Sequence, residues 1–586
     1  MSVAANGKRR IRFRTAGLAL AAAAFPLLAL AQTAAPITPG AAQPLPPGTP
    51  QTTPSNDATL SVPTMPNRPL GLEEGPRLKV RGFKLIDAHD HPKLGLTVAS
   101  LNSELDAALR AQPAPGYTIL QLQQIAARLA DIYHKRGLIL AQVVVPAQEI
   151  KDGVVQLRVL EGVLEAVKTE NNKHNRTSAL QAPFKPLVGK PFEQSATDAA
   201  LLRLTEYPGL AVFGVVTPGA AVGTSDLVLR VQREQMFDAS IGVDNFGTKL
   251  SGEDRGDLNL AWNSPLGIGD RLSLFGLHSQ TAGDSSAKTN YGGAQYSVPL
   301  FWARGALTVG YTLNNYDVGQ SLNVAGKVKI ASVDYHQDFY RTRQLDVYGD
   351  LSGADKRADV QLPVGAPGQE HVDDGSATFG IRYTDSFHGY SELALTYLHG
   401  SVRTPDTGDA PVRAGVASAY SVFDFHLLHQ QGLTRFQTLR LSINGQVSND
   451  PVGTLDQIAL GGPASLRGFG VADYVGDTGY YGTVEWVVGA PGFAKKGGPG
   501  GRAWGDLLQL SLFGDVGYGK NNPIAATNGV NIPAETMRDY GAAIQFNLPD
   551  RFYARVSWAR EVSPDALIQS VDSKKSHVYA SMGASY

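Results

Sequence analysis

The chain has 586 residues, a formal charge of -1 and no cysteine. That length accommodates several domains, and core size is not limiting. Near-neutral charge without a block of one sign argues against a nucleic-acid surface and a polybasic membrane anchor, and the lack of cysteine removes disulfide frameworks, thiol nucleophiles and Cys-ligated zinc together.

Lys8, Arg9, Arg10, Arg12 and Arg14 precede an apolar run from Ala16 to Leu28, and Ala29-Leu30-Ala31 ends in small residues before Gln32. Residues 1–31 therefore read as a signal peptide that carries the mature protein out of the cytoplasm. The run is shorter than the ~20 residues of a helical membrane span. No later run approaches that length, so any further span must be made of strands. Residues 32–77, rich in Pro, Thr and Ala, hold too few large apolar side chains to offset ordering entropy. They read as a linker or plug.

Residues 78–162 read as a compact α+β unit. "LKVRGFKL" (Leu78–Leu85) is a strand, a helix follows with Leu101, Leu105, Ala108 and Leu109 on one face, and "PAPG" breaks the chain. A second helix starts at Thr118, whose T-x-x-Q with Gln121 is a capping box, and carries Leu122, Ile125, Ala126, Leu129, Ile132 and Tyr133 at helical spacing. Gly137 ends it, and the strands "LILAQVVVP" and "GVVQLRVLEG" complete a β-α-α-β-β order. Residues 163–233 repeat the unit more loosely: a strand at Val163–Lys168, a helix at Gln194–Glu206, then "LAVFGVV" and "DLVLRV".

From residue 234 helix signals nearly vanish. Leu258, Leu260 and Trp262 alternate with Asp257, Asn259 and Ala261, "TLRLSINGQV" repeats the alternation, and the chain ends with Val578, Ala580, Met582, Ala584 and Tyr586 on one face. A soluble sandwich would not keep polar residues on the inner face of nearly every strand. A transmembrane antiparallel barrel, apolar towards lipid and polar towards its lumen, does. At roughly 22 residues per strand and connection, residues 234–586 make about sixteen strands.

A long connection, around residues 448–480, carries "GGPASLRGFG" and sets Arg467 among glycines. In the next-but-one strand, "LLQLSLFGDVGYG", Leu508, Leu510, Leu512, Val516 and Tyr518 share one face and Gln509, Ser511, Asp515 and Gly517 the other. Asp515 thus points into the lumen. Spacing leaves two readings: a solvated loop arginine with a separate lumenal aspartate, or an inserted Arg467 paired bidentately with Asp515.

Gly461-Gly462 followed by Ser465-Leu466-Arg467-Gly468-Phe469, with Phe513-Gly514-Asp515-Val516-Gly517 downstream, resembles the conserved loop and strand motifs of the Omp85 superfamily. The two β-α-α-β-β units resemble POTRA domains, the first of the ShlB type. "DNFG" (Asp244–Gly247) and "NSPLGIGD" (Asn263–Asp270) resemble the barrel entry of the two-partner secretion branch, the outer-membrane transporters of haemolysins and filamentous adhesins. The resemblance implies a sixteen-stranded barrel whose extracellular loop folds inward, its motif Leu466, Arg467, Gly468 and Phe469 meeting a wall strand that carries Phe513, Asp515 and Gly517. Leu466 and Phe469 stand where that family usually has Val and Tyr, and residues 32–77 show no amphipathic plug helix.

It further implies a Gram-negative outer membrane, lipid around the barrel, periplasmic POTRA domains, and an unfolded secreted partner protein threaded through without nucleotide. No nucleic acid, cofactor, metal or small-molecule substrate is expected. A POTRA sheet edge can accept an extended segment by strand addition; the candidate edge is Leu138–Val145, with Leu138, Leu140, Gln142 and Val144. One alternative function on the same barrel is outer-membrane protein assembly. Another is a metal-dependent periplasmic hydrolase built on His89 and His91, but the helix-poor C-terminal half lacks the β/α repeats that such an H-x-H site needs. "KKGGPGGRAWG" lacks the G-K-[ST] ending of a phosphate loop and reads as a turn.

Overall fold

The computed structural model describes residues 60–61, 77–300, 304–319, 324–361, 367–385, 387, 389–403, 409–523, 533–549, 551–562 and 574–586. Residues 1–31 lie outside these, as does all of 32–76 except Leu60–Ser61, which form the short strand β1.

In the first domain, β2 (Gly82–Ile86) lies parallel to β4 (Val154–Leu160), and β3 (Gln142–Val144) pairs antiparallel with β4 on its other side. Two helices cover the sheet, α1 (Val98–Arg110) and α2 (Ile119–Lys135). The Thr118 hydroxyl accepts the Gln121 amide (3.2 Å) while the Gln121 side chain accepts the Thr118 amide (2.9 Å), so the capping box forms. Leu101, Leu105, Leu122, Ile125, Leu129 and Tyr133 are buried against Val155 and Leu157. Each fully buried aliphatic side chain contributes about 1.5–3 kcal/mol.

The expected strand Leu138–Val145 shortens to Gln142–Val144. The Leu138 amide donates to the Tyr133 carbonyl (3.0 Å) and the Ala141 amide to the Leu138 carbonyl (3.1 Å), so the end of α2 and a turn consume Leu138 to Ala141. Leu138 is buried in the domain core, and Leu140 packs towards the second domain; neither belongs to a sheet edge.

The second domain orders its strands β1–β6–β7–β5, with β5 (Val163–Glu170), β6 (Leu210–Pro218) and β7 (Thr224–Glu234). Besides the expected helix, α4 (Gln194–Leu204), it holds a short helix, α3 (Thr177–Gln181), that had no clear periodic signal. Leu180, Phe184, Phe192, Leu201, Leu202, Leu204, Leu227 and Leu229 form its core.

Sixteen antiparallel strands, from Phe237–Asp244 to Ser576–Ser585, close a barrel in which the last pairs with the first. Closure leaves no unpaired edge in lipid. The seam is short, Ser581–Ser585 against Ser240–Asp244, and the DNFG segment reinforces it. The Asn245 side chain donates to the Val578 carbonyl (2.9 Å) and accepts the Ala580 amide (2.8 Å). Beside it the buried Arg255 forks onto Asp244 at 2.6 and 2.9 Å. Outside, Leu258, Leu260, Trp262, Leu510, Leu512 and Val516 are exposed; inside, Ser511, Phe513 and Asp515 are buried.

The NSPLGIGD segment docks the barrel on the second domain. Ser264 donates to Asn175 (2.6 Å), the Arg176 amide donates to the Gly267 carbonyl (2.8 Å), and Asp270 caps the turn through Leu266 and Ile268. A second contact joins the rim turn after the strand Val324–Arg341: Arg341 pairs with Glu206 (2.7 Å) and Arg343 with Asp198 (3.2 Å). Burial, partly opposed by Arg341, pushes the Glu206 carboxyl up to about 7. "KKGGPGGRAWG" is a connection between barrel strands with a 3-10 turn at Pro499–Gly501 and a short helix at Trp504–Leu507.

Two outcomes follow. Leu512→Arg, on the lipid face, should lower unfolding stability from lipid vesicles by about 2–4 kcal/mol, and Ser511→Thr on the lumen face by far less, read by denaturant titration. Because the docked Glu206 holds a proton at a pH where a free carboxyl near 4.5 has lost it, docking should tighten as pH falls through about 7 and level off near 4.5. Crosslinking yield between the second domain and the rim should show this slope, and Glu206→Gln should flatten it.

Candidate functional site

The connection between the strands Gln437–Val447 and Thr478–Gly489 turns back into the lumen. Its legs pair as a two-stranded ribbon, Ile458–Leu460 against Tyr474–Gly476, and its tip spans residues 461–473. The tip satisfies its own backbone: the Gly462 amide reaches the Leu466 and Phe469 carbonyls (3.1 and 3.2 Å), and Asp473 accepts the Gly470 amide (2.7 Å). Leu460, Leu466, Phe469 and Tyr474 join Met537 of the wall in a small buried core.

Arg467 projects from this tip onto the wall, 6% exposed. Nε donates to Asp515 Oδ2 (2.9 Å) and Nη2 to Asp515 Oδ1 (2.7 Å), a bidentate fork, while Nη1 reaches Glu485 Oε2 at 3.3 Å. The Arg467 amide also donates to Asp515 (3.2 Å), and Thr483 donates to its Oδ1 (2.8 Å). The guanidinium carbon lies 3.2 Å from the centre of the Phe513 ring, a cation–π contact. Arg555 balances the second carboxylate, donating to Glu485 Oε1 at 3.0 Å. Arg467 and Arg555 thus hold Asp515 and Glu485, with Asp539 and Arg440 beside them on the wall, and removing one partner of such a sequestered pair costs about 3–5 kcal/mol.

The neighbours of Arg467 fit the wall by size and by hydrogen bond. Leu466 lies over Gly517. Gly468 passes so close to the wall that a Cβ there would sit 2.4 Å from the Asp539 Cβ. His577 Nδ1 is 2.9 Å from the Gly468 carbonyl, and the Tyr579 hydroxyl donates to the Phe469 carbonyl (2.6 Å). All of the loop and wall residues singled out in the sequence therefore meet at one place. Glu485, Arg555, His577 and Tyr579 were not singled out. Glu485 and Arg555 carry the lumenal alternation that revealed Asp515, and nothing in the sequence distinguishes His577 or Tyr579 from other wall residues.

Nearer the extracellular mouth the loop has further anchors. Lys356 meets Asp456 and Asp374, both at 2.5 Å; Tyr420 donates to Asp456; and Thr454 donates to Glu370 (2.8 Å). Arg413, from a neighbouring loop, forks onto the fully buried Asp477 and donates to the Val452 carbonyl (2.7 Å).

Residues 94–162 match the family model of the ShlB-type POTRA domain, and residues 223–487 match that of the haemolysin secretion/activation protein ShlB/FhaC/HecB. The chain belongs to the haemolysin secretion/activation family. It is an outer-membrane transporter of the two-partner secretion type, with periplasmic POTRA domains, in a family of transporters and not of enzymes. The heme/hemopexin transporter protein HuxB of Haemophilus influenzae strain 86-028NP is 22% identical over 479 residues, 78% of this chain and 80% of that protein. The outer membrane transporter CdiB-2 of Burkholderia pseudomallei strain 1026b is 26% identical over 406 residues, 65% of this chain and 68% of its own length. Among solved structures, CdiB from Escherichia coli superposes with a TM-score of 0.65 at 17% identity, covering 96% of this chain and 98% of that one.

The histidines considered for metal both bind one carboxylate of this transporter's first domain: His89 Nδ1 and His91 Nε2 lie 3.2 and 3.0 Å from Glu161. They tie the segment after β2 to the end of β4. Among the described residues, Asp355, His371 and Asp373 alone form a metal-sized group, and Arg357 and Arg403 engage its carboxylates.

Two variants separate charge from fit. Arg467→Gln should speed deuterium uptake of the amides of residues 461–473 by about 100-fold, the equivalent of about 3 kcal/mol. Gly468→Ala should release the same amides comparably although it removes no charged side chain, because its methyl group would sit 2.4 Å from the Asp539 Cβ and displace the tip from the wall.

Proposed function

We propose that this transporter secretes one exported partner protein in extended form, captured in the periplasm by its POTRA domains and threaded through the barrel as the inward loop withdraws. The observation that carries the reading is the lumenal plug itself. It is held by ion pairs, hydrogen bonds and a small apolar core, with no covalent link, so a chain entering from the periplasm can displace it. The relatives' names give haemolysin and heme/hemopexin as the cargo of other members. By similarity, this chain's cargo is a haemolysin- or adhesin-like protein. Capture by main-chain pairing needs an open sheet edge, and β3, Gln142–Val144, borders its sheet with Val144 exposed. Folding outside the cell supplies the drive, and no nucleotide is used.

A seam reinforced by Asn245 favours passage through the barrel over lateral release of strands into the membrane, which assembly of other barrels would require.

Arg467→Ala should lower the secreted partner in the medium at least ~10-fold, the scale of losing about 1.4 kcal/mol or more, while heat-modifiable barrel insertion persists. Exchanging the charges, Arg467→Asp with Asp515→Arg, should restore part of it. Glu485 opposes an aspartate at position 467, so restoration stays incomplete. Normal secretion by both single variants would remove the pair from the mechanism.

A further inference from the structure

The outward surface of the barrel carries an ordered patch of charge. Lys356 points into the lumen to hold Asp456, so its neighbours Asp355 and Arg357 point outwards. Ladder register extends that outward face across the adjacent strands Val324–Arg341, Leu345–Gln361, Gly368–Thr384 and Gly389–Arg403. Lys329 lies opposite Arg357, Arg357 opposite His371, and His371 opposite Arg403, a single row with three permanent cations. Like charges side by side on a sheet repel. Two aspartates in the next row towards the periplasm offset part of this: Asp355 accepts from Arg357 (3.0 Å) and lies 2.9 Å from His371, and Asp373 accepts from Arg403 (2.6 Å). In the row beyond, Lys327 stands opposite Asp359. Lys329 has no ion pair among the described residues. Two strands elsewhere on the barrel show the contrast: outward from Thr478–Gly489 and Leu508–Lys520 stand Tyr480, Val484, Trp486, Leu510, Leu512 and Val516.

The row sits at headgroup height. Tyr383, exposed near the periplasmic end of Gly368–Thr384, is twelve residues from His371, a rise of about 30 Å at ~3.4 Å per residue and ~40° of tilt, just above an apolar band ~25 Å tall. Beneath the aspartates the wall is hollow. There Gly353 lies opposite Gly375, between Val333 and His399, and the exposed Leu351 and Tyr397 border the hollow from below. The fold itself does not require either glycine: neither has a positive φ, and a Cβ added at either would meet nothing closer than 3.8 Å. A glycine inside a strand weakens it and often marks the close approach of a ligand.

We infer that this face binds one phosphorylated glycolipid of the outer leaflet, with its phosphate on the row Lys329–Arg357–His371–Arg403 and an acyl chain in the hollow at Gly353 and Gly375. A guanidinium forks onto phosphate as it does onto a carboxylate. Asp355 and Asp373 orient Arg357 and Arg403 and leave them further N–H donors for phosphate oxygens, while Lys329 supplies charge that no described carboxylate offsets. A soluble anion gains only the row; a lipid gains the row and the hollow together. The site lies outside the lumen and goes beyond the secretion reading, on which it does not depend.

The test titrates full-length protein, stripped of lipid in a neutral detergent, with diphosphoryl lipid A and counts bound molecules by native mass spectrometry. Wild-type protein should hold one. Lys329→Ala with Arg357→Ala should weaken binding at least ~10-fold, the scale of losing one charge-assisted contact. Gly353→Leu, which keeps every charge and fills the hollow, should weaken it comparably, and heat-modifiable migration should show that each variant barrel is closed. Lipid A freed of its phosphates should bind wild-type protein at least ~10-fold more weakly than the diphosphoryl form, a comparison that leaves the protein unaltered. Inorganic phosphate at equal concentration should not displace the lipid. Unchanged binding by the double variant or by Gly353→Leu, equal binding of the dephosphorylated lipid, or displacement by inorganic phosphate would each overturn the inference.

Discussion

Lipid offers no hydrogen bonds, and most of this transporter follows from that. Strands that cross the membrane must pair all the way round, so sixteen of them close on themselves and enclose a wide lumen. Their outer residues face lipid and are apolar, so the alternation of a strand puts polar residues inside. A lumen of that width is not filled by its own wall side chains. The loop between Gln437–Val447 and Thr478–Gly489 fills it, and a plug meeting a polar wall has to bring partners for what it buries. Arg467 is the residue on which this depends: it satisfies Asp515 by a fork, shares Glu485 with Arg555, and lies flat on Phe513.

This kind of attachment is strong while intact and vulnerable to loss of one member. Buried ion pairs add little net stability over apolar packing, but a single unpaired ion is costly. The loop is accordingly held in place sharply and yet remains separable as a unit, with its own backbone bonds and its own small core of Leu460, Leu466, Phe469 and Tyr474. Around the mouth, Asp456 and Asp477 fix the legs of the loop to Lys356 and Arg413. The deep anchors lie on the strands of Glu485 and Asp515 and the shallow ones on the strand of Lys356 and the loop of Arg413, so the tip can leave its seat while the legs hold.

Periodic features were the legible ones. Alternation along "LLQLSLFGDVGYG" placed Asp515 in the lumen, and the Thr118–Gln121 capping box set the start of α2 where the structure has it. The Arg467–Asp515 contact was one of two open readings from spacing, because a loop's path across a lumen leaves no periodic trace; family resemblance favoured it. The first-domain edge was overextended for a related reason. Leu138 and Leu140 look like strand residues, but the turn after Gly137 is set by main-chain bonds to Tyr133 that composition does not reveal. Leu60–Ser61 was invisible in a Pro-rich stretch, since its pairing depends on a glycine more than 150 residues away.

The central claim is that the loop tip must leave its seat for the partner to pass. The chain has no cysteine, so Leu466→Cys with Gly517→Cys places a single disulfide where Leu466 Cδ1 now lies 2.6 Å from the position of a Cβ at Gly517. Secretion of the partner by cells carrying this pair is measured before and after mild reduction, with each single cysteine variant as control. The account predicts that the oxidised protein inserts but does not secrete, and that reduction restores secretion to the level of the single variants. Full secretion with the disulfide demonstrably closed would contradict it.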